Sequence, residues 1–241
     1  MRTFELARDH HFPGAVLASD YVAASVRALT DHGFTWANCI ACVGLCRDEI
    51  TRPLSDEIQN VWGEAFNFSS LGGVLLLGKT GLLAAHHHAP EQDQVERYTY
   101  YVMPHIAISA TGGIGECLRT GRSALSSACG ALSAFQKEVA TGRVDLQTDP
   151  DNLEYSLLKQ KVHPNLPSEH TPDLVELTKI TATTILEGLE HLINVTPNDV
   201  PHDYAVFSGI QIHGPAHTNW IWPTTSYVVR QGTRYDNLLD P

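Results

Sequence analysis

The sequence predicts an α/β fold in which helices flank a central, mostly parallel β-sheet. Short runs of small, branched and aromatic apolar residues recur along the chain, as in strands that are buried on both faces. Segments with helical periodicity and helix stop signals lie between them. The chain has 241 residues, of which 43% are hydrophobic, and no repeat, low-complexity tract or linker divides it. We therefore expect one α/β domain spanning residues 1–241.

The amino-acid composition argues against nucleic acids and membranes as binding partners. The formal net charge of −11 at pH 7 leaves no basic excess for a nucleic-acid backbone or an anionic membrane. We therefore expect a small-molecule substrate, and neither nucleic acid nor membrane as a partner. The N-terminus lacks a signal-peptide pattern, so we expect a cytoplasmic protein, or one of an organelle stroma if a transit peptide has been removed. Five cysteines, three of them at positions 39–46, suit a reducing compartment and thiolate chemistry better than a disulfide framework.

The first half of the chain supplies two helices and a buried strand. Residues 15–31 carry apolar side chains at helical spacing before a glycine stop, which predicts an amphipathic helix over the sheet. Residues 38–46 are small and apolar, which predicts the strand, and residues 51–65 predict the second helix. Gly72 and Gly73 follow in a loop where another backbone or a ligand can approach closely.

In the second half, residues 97–109 predict the second strand. Pro104 cannot donate to a β-ladder, so we expect His105 at an interruption of that strand or at an edge. The other predicted elements are a glycine-rich loop at 112–121 with Cys117 and Arg119, helices at 122–140, within 148–166 and at 172–193 after a Thr171 cap, and strands at 204–213 and 226–230, the last at a sheet edge.

Two other motifs suggest functions that we discount. Residues 73–80 satisfy the bare phosphate-loop pattern, but the four residues between the glycines are bulky and apolar. They suit a strand or helix better than a loop whose amides point at a phosphate. Residues 86–88 are three successive histidines, which cannot all face one metal ion from a regular element. One of them could still face a pocket as a proton carrier.

The candidate site lies where the 38–46 strand ends. Cys46 is followed at once by Arg47 and Asp48, and open α/β sheets keep their chemistry at the carboxyl ends of strands. An iron–sulfur cluster on Cys39, Cys42 and Cys46 is an alternative. Because side chains alternate along a strand, Cys42 and Cys46 face one side and Cys39 the other, so the three converge only if the segment is a loop.

These residues resemble a known group of enzymes. Cys46-Arg47-Asp48 resembles the cysteine-x-aspartate element that opens the site of β-carbonic anhydrases, and Cys129-Gly130-Ala131 resembles their second ligand element. Two positions depart from that pattern, because Ser126 stands in place of the usual histidine and Ile50 in place of the usual arginine. The pattern is more similar to the limiting-CO2-inducible B/C (LCIB-like) family, which is grouped with the θ-carbonic anhydrases and takes its histidine from a separate upstream strand.

The resemblance rests on the shared order of several short segments along most of the chain. They are residues 44–49, 70–73, 78–81, 104–107, the small residues around Cys129, 153–156 and 208–211. It is this order, and not spacing, that selects His105 from the thirteen histidines.

The resemblance implies a zinc lyase that hydrates CO2 reversibly to bicarbonate. Cys46, His105 and Cys129 would hold Zn²⁺, and three protein ligands leave a fourth position for water. A zinc-bound hydroxide would attack CO2. Asp48 would accept a hydrogen bond from the water and Arg47 would keep Asp48 ionised. The family also implies a homodimer with sites near the subunit interface.

Two alternatives stay open at the level of sequence. The first is a catalytically silent zinc protein that binds CO2 or bicarbonate, or scaffolds a partner in inorganic-carbon handling. The second is a thiol-dependent hydrolase with Cys46 as nucleophile and His105 as base. The hydrolase predicts a readily alkylated thiol and activity that survives chelators, whereas a zinc site predicts the opposite.

Overall fold

The computed structural model describes residues 2–90, 94–198 and 200–239, and it confirms the predicted α/β fold. The helices are α1 (Arg2–His11), α2 (Ala18–Asp31), α3 (Arg52–Trp62), α4 (Gly78–His86), α5 (Gly130–Thr141), α6 (Leu153–Val162) and α7 (Leu174–Val195). The strands are β1 (Val16–Leu17), β2 (Ile40–Gly44), β3 (Ala65–Asn67), β4 (Glu96–Val102), β5 (His105–Ala107), β6 (Glu116–Cys117), β7 (Ser126–Ser127), β8 (His202–His213), β9 (Asn219–Arg230) and β10 (Thr233–Asp236). None of the described helices is both long and apolar enough to cross a lipid bilayer.

Eight of these strands form one sheet in the order β1-β9-β8-β4-β2-β3, with β5 also paired to β8 and β10 to β9. Strands β3, β2, β4, β5 and β8 run parallel, as predicted. Strand β9 is antiparallel to each of its neighbours, so the whole sheet is mixed. The prediction that residues 226–230 form an edge is wrong, because they belong to β9, which has partners on both sides.

Helices cover both faces of the parallel strands, so β2 is buried throughout. Cys42 and Cys46 lie in the core cluster that includes residues of α4, α5, α6 and α7, whereas Cys39 lies in the cluster on the other face, with α2 and α3. This separation confirms the alternation inferred from the sequence. It is also the reason that the three cysteines cannot share an iron–sulfur cluster.

The predicted strand at residues 97–109 is interrupted at Pro104, as expected. Strand β4 ends at Val102 and β5 begins at His105, while both continue to pair with β8. The partner strand has an irregularity between Ser208 and Gly209. A side chain at Gly209 would approach the Trp222 carbonyl oxygen to 2.5 Å, so the close contact requires glycine. The break gives His105 its own short strand beside the end of β2.

The helix predicted over residues 122–140 begins only at Gly130. Ser126 and Ser127 form β7, which pairs with β6 in a small antiparallel ribbon. Serine hydroxyls that bond locally compete with helical structure, and the Ser126 hydroxyl accepts a bond from Arg119 Nε at 3.0 Å. Cys129 therefore lies immediately before a helix and not inside one. The cap of α7 is also shifted, from Thr171 to Asp173, whose carboxylate accepts the Glu176 amide at 2.8 Å.

Gly72 and Gly73 lie in a short 3-10 turn against the β4–β5 break. Both have positive φ, and a side chain at Gly73 would approach the Met103 carbonyl oxygen to 2.8 Å. Residues 74–77 are irregular and mostly buried, so the strand or helix expected there is absent from this described segment. They pack into the core rather than cradle a phosphate, which agrees with discounting a nucleotide site.

Candidate metal centre

The structure brings together Cys46, His105 and Cys129. One ligand atom from each lies within 4.8 Å of the other two. The three residues are 3%, 1% and 2% exposed, respectively. Within the described residues they are the only group of histidine, cysteine and carboxylate side chains with this spacing.

Each ligand occupies the end of a secondary-structure element. Cys46 follows β2 and forms an isolated parallel bridge with Ser70, His105 begins β5, and Cys129 directly precedes α5. The Thr51 hydroxyl lies 2.8 Å from the carbonyl oxygens of both Cys46 and Asp48, which fixes the turn after Cys46. Cys46 thus follows the carboxyl end of β2 and His105 follows the carboxyl end of β4, and the start of α5 lies beside both.

The two sulfur atoms lie 3.6 Å apart and are not in a disulfide. Two sulfurs bound to a tetrahedral zinc, each at about 2.3 Å, would be about 3.8 Å apart. A hydrogen bond joins the two sulfurs and, opposed by burial, lowers the pKa of Cys46. The same bond, together with burial, raises the pKa of Cys129. The pair therefore shares one proton that a bound cation would displace.

The third ligand, His105, presents an unsatisfied nitrogen. Its Nε2 is buried without a hydrogen-bond partner and lies 3.9 Å from Asp48 Oδ2. Its other nitrogen, Nδ1, lies 2.9 Å from Nε2 of His213. A buried polar atom with no partner costs about 1–3 kcal/mol, whereas a cation between this nitrogen and the two sulfurs would use its lone pair. The donor set, two sulfurs and one imidazole, fits zinc.

Asp48 lies beside the ligands and is held by Arg119. The two guanidinium nitrogens of Arg119 donate to its two oxygens at 2.7 and 2.8 Å. Burial would raise the pKa of Asp48, but the hydrogen bonds from Arg119 and the proximity of His105 outweigh burial and lower it to about 2. Asp48 is therefore an ionised hydrogen-bond acceptor at the edge of the centre.

The expected contact between Arg47 and Asp48 is wrong. Arg47 Nη2 lies 2.6 Å from Glu154 Oε1, at the start of α6, and Arg47 Nε donates to both oxygens of that carboxylate. The Arg47 guanidinium is therefore engaged by Glu154 and not by Asp48. Glu154 also accepts the Leu71 amide at 3.0 Å. Arg47 therefore fastens the turn after β2 to α6.

Arg119 is the functional side chain that sequence reasoning missed. It lies in the predicted glycine-rich loop and is fixed by Ser126 Oγ and by the Ser127 carbonyl oxygen, each at 3.0 Å. One signal was available, because Ile50 stands where β-carbonic anhydrases usually have an arginine two residues after this aspartate. Cys117 lies in the same loop but is not among the clustered ligands.

Two cavities flank Asp48. One of 490 Å³ is lined by Cys46, Arg47 and Asp48, and one of 320 Å³ by Arg119 and His213, among others. A larger cavity of 730 Å³ is lined by residues near the end of α5 and by residues 163–171, none of which is a candidate ligand. Size alone would therefore point to the wrong region. The convergence of ligands identifies the site.

The chain is similar to known proteins over most of its length. The family model described as limiting CO2-inducible proteins B/C β-carbonic anhydrases matches residues 15–230. The crystal structure of limiting CO2-inducible protein LCIB is 33% identical, with a TM-score of 0.79 over 95% of this chain and 96% of that one. The crystal structure of PtLCIB4, described as a homolog of LCIB, has a TM-score of 0.85 over 97% of this chain and 99% of that one. At 24% identity it shows the fold alone.

No curated protein matches the chain significantly. The family model nevertheless covers most of the sequence, and the LCIB structure is similar over nearly the whole length of both chains. The cysteine–histidine–cysteine group described above lies inside the matched residues. The chain belongs to the limiting-CO2-inducible B/C family of carbonic-anhydrase-like proteins.

Proposed function

We propose that this protein is a zinc-dependent carbonic anhydrase that interconverts CO2 and bicarbonate. The observation that carries the proposal is the unsatisfied Nε2 of buried His105, which faces two sulfurs only 3.6 Å apart. Cys46, His105 and Cys129 would hold Zn²⁺. The bound metal would supply the Lewis acidity that lowers the pKa of a water molecule for attack on CO2.

Asp48 would orient that water. Its carboxylate lies 3.9 Å from His105 Nε2, so it is close enough to accept a hydrogen bond from a group beside the ligands. Its low pKa keeps it an acceptor across neutral pH. Because both of its oxygens are engaged by Arg119, the carboxylate is restrained from moving onto the metal. In this proposal Arg119 takes the role that the sequence suggested for Arg47.

The same distance supports a second candidate, a catalytically silent zinc protein. The nitrogen and oxygen ligands of a tetrahedral zinc lie about 3.3 Å apart, so Asp48 would need to move only slightly to become a fourth ligand. That arrangement would leave no position for water. The two candidates therefore differ in whether the Arg119–Asp48 ion pair persists after zinc binds.

We also propose that the protein is a homodimer, as the family resemblance implies. Leu118 and Leu125 flank Arg119 on the loop and are 57% and 50% exposed, which suits burial against a second copy. Light scattering after size exclusion would give the mass directly. A monomer at micromolar concentration would contradict this part of the proposal.

The test of function is stopped-flow measurement of CO2 hydration on protein whose zinc content is counted in the same sample. We expect about one zinc per chain and hydration that a chelator abolishes and added zinc restores. The matched control is Asp48→Asn, which should keep zinc and lose rate because it removes the charged acceptor without changing the shape of the side chain.

Three outcomes separate the candidates. Zinc without hydration from neutral to alkaline pH would favour the silent protein. Hydration that persists without metal would contradict both zinc readings. Absence of zinc together with rapid alkylation of Cys46 would favour the hypothesis of a thiol-dependent hydrolase.

A further inference from the structure

Three polar side chains on adjacent strands form a row behind the metal centre. His105 pairs with Gln211 of β8, so His213, two residues further along β8, points to the same face. His213 in turn pairs with Asn219 of β9. His105 Nδ1 lies 2.9 Å from His213 Nε2, and His213 Nδ1 lies 2.7 Å from Asn219 Oδ1. Both histidines are buried, at 1% and 6% exposure.

The donor and acceptor of each hydrogen bond in this row follow from the orientation of the Asn219 side-chain amide. Asn219 Nδ2 donates to the His217 carbonyl oxygen at 3.4 Å, and a carbonyl can only accept. The amide oxygen of Asn219 must therefore face His213, and because that oxygen also only accepts, His213 carries its proton on Nδ1. Nε2 of His213 is then an acceptor, so His105 carries its proton on Nδ1.

We propose that His213, oriented by Asn219, is a positioning residue that fixes the tautomer of His105 and aims its Nε2 lone pair between Cys46 and Cys129. This inference rests on the proposed function, since it assigns a role toward the bound zinc. In the opposite tautomer, an N–H would point at the two sulfurs and block the metal. The row removes that tautomer before the metal arrives.

A neutral histidine is an unusual acceptor for this purpose. Ligand histidines in metal sites commonly donate to a carboxylate, which adds negative charge behind the ligand, or to a backbone carbonyl. Here the two thiolates would already donate strongly to a bound metal. An uncharged acceptor orients His105 without further reducing the acidity that the metal confers on water.

The first test requires no substitution. In zinc-loaded protein with ¹⁵N-labelled histidine, NMR shifts should show protons on Nδ1 of both His105 and His213, and metal on Nε2 of His105. A proton on Nε2 of His213 would overturn the inference, because His213 could not then accept from His105.

The second test measures zinc affinity by competition with a chromogenic chelator. His213→Leu should weaken zinc binding about 10-fold to 100-fold, whereas His213→Gln, whose amide oxygen can accept from His105, should stay within about threefold of wild type. The matched control is His86→Leu, a second buried histidine outside the site, which should leave zinc affinity unchanged.

If His213→Leu does not fold, Asn219→Leu provides the same test at a half-buried position. It should leave His213 in mixed tautomers and weaken zinc to a smaller extent. Unchanged zinc affinity in the folded leucine variants would overturn the role of His213 while leaving the carbonic anhydrase proposal intact. A wild-type protein that binds no zinc would instead sink the proposed function, and this inference with it.

Discussion

Two buried histidines, near opposite ends of the same parallel strands, each have one ring nitrogen without a hydrogen-bond partner. His105 lies at the carboxyl end, where Nε2 is unpartnered, and His86 packs on the amino-terminal half of β4, where Nδ1 is unpartnered. The other nitrogen is bonded in both cases, in His105 to His213 at 2.9 Å and in His86 to the Tyr100 hydroxyl at 2.8 Å.

The difference lies in what faces the free nitrogen. Around His105 two sulfurs and a carboxylate converge, whereas His86 stacks on Tyr98 with ring centroids 4.1 Å apart. Aromatic faces can accommodate a neutral imidazole but supply no metal ligand. A buried, unsatisfied histidine is therefore not sufficient evidence for a site, and the convergence of further donors is what distinguishes His105.

The largest expected effect is the loss of zinc when His105, but not His86, is replaced. His105→Ala should lower zinc from about one per chain to almost none, because two thiolates alone cannot complete the site. His86→Ala should leave zinc unchanged. Elemental analysis of both purified variants gives the answer, and full zinc occupancy in His105→Ala would show that the ligand set is wrong.

The next effect separates the two arginines beside the centre. Arg119→Ala should keep zinc but reduce CO2 hydration about a hundredfold to ten-thousandfold, because Asp48 loses its restraint and its orientation. Arg47→Ala should cost no more than about tenfold, since Arg47 bonds to Glu154 and not to Asp48. Stopped-flow rates on zinc-loaded variants decide between them. A larger loss for Arg47→Ala would mean that Arg47 turns toward Asp48 during turnover.

A smaller effect concerns His86 and pH. Burial, reinforced by His202 and His87 and partly opposed by Glu96, lowers the pKa of His86 to about 4, against about 6.5 in an unfolded chain. The unfolded state therefore binds the proton more readily, so stability is complete above pH 6.5 and declines as the pH falls from 6.5 toward 4. Because His87 and His88 beside it are exposed and solvent is near, we expect a loss of only about 1–2 kcal/mol.

Urea unfolding of the wild type and of His86→Phe between pH 7 and pH 4.5 measures the contribution of His86 to the pH dependence of stability. The difference in unfolding free energy between the two proteins should change over that range in favour of the phenylalanine variant. Parallel curves would show that His86 does not titrate on unfolding as described.

The smallest expected effect is the loss of stability when a cysteine that is not a ligand, Cys42 or Cys39, is replaced. Cys42→Ala should retain zinc and cost about 1 kcal/mol, because it removes one buried sulfur from the core. Cys39→Ala on the opposite face should behave alike, whereas Cys46→Ala should lose zinc. Zinc counting and thermal unfolding measure both properties. Loss of zinc in Cys42→Ala would mean that Cys42 reaches the metal.

The sequence predicted those parts of the molecule that depend on local pattern. The alternation of Cys39, Cys42 and Cys46, the interruption at Pro104 and the α/β class all follow from strand periodicity and proline chemistry. The late start of α5 was not predictable from propensity, because Ser126 and Ser127 extend to meet β6 and Arg119, and those are tertiary contacts.

The candidate site also has a part that the sequence predicted and a part that it did not. The resemblance placed His105 with the two cysteines, and the structure brings all three together. The ion-pair partner of Asp48 could not be predicted, because adjacency in sequence favoured Arg47 and only the folded loop brings Arg119 to Asp48. His213 was similarly hidden, since its role depends on the β5–β8–β9 register.

In the proposed reaction, the Arg119–Asp48 ion pair would also affect the release of bicarbonate. Two thiolates would cancel the charge of a divalent zinc, and the Arg119 guanidinium cancels the Asp48 carboxylate, so the ligands and this ion pair together would carry no net charge. Glu49, which also pairs with Arg119, is exposed to solvent. A cationic centre would bind a bicarbonate anion by electrostatic attraction, whereas a neutral centre would attract it only weakly. The same balance predicts weak inhibition by simple anions, so ion pairing around the metal would set how fast the product leaves.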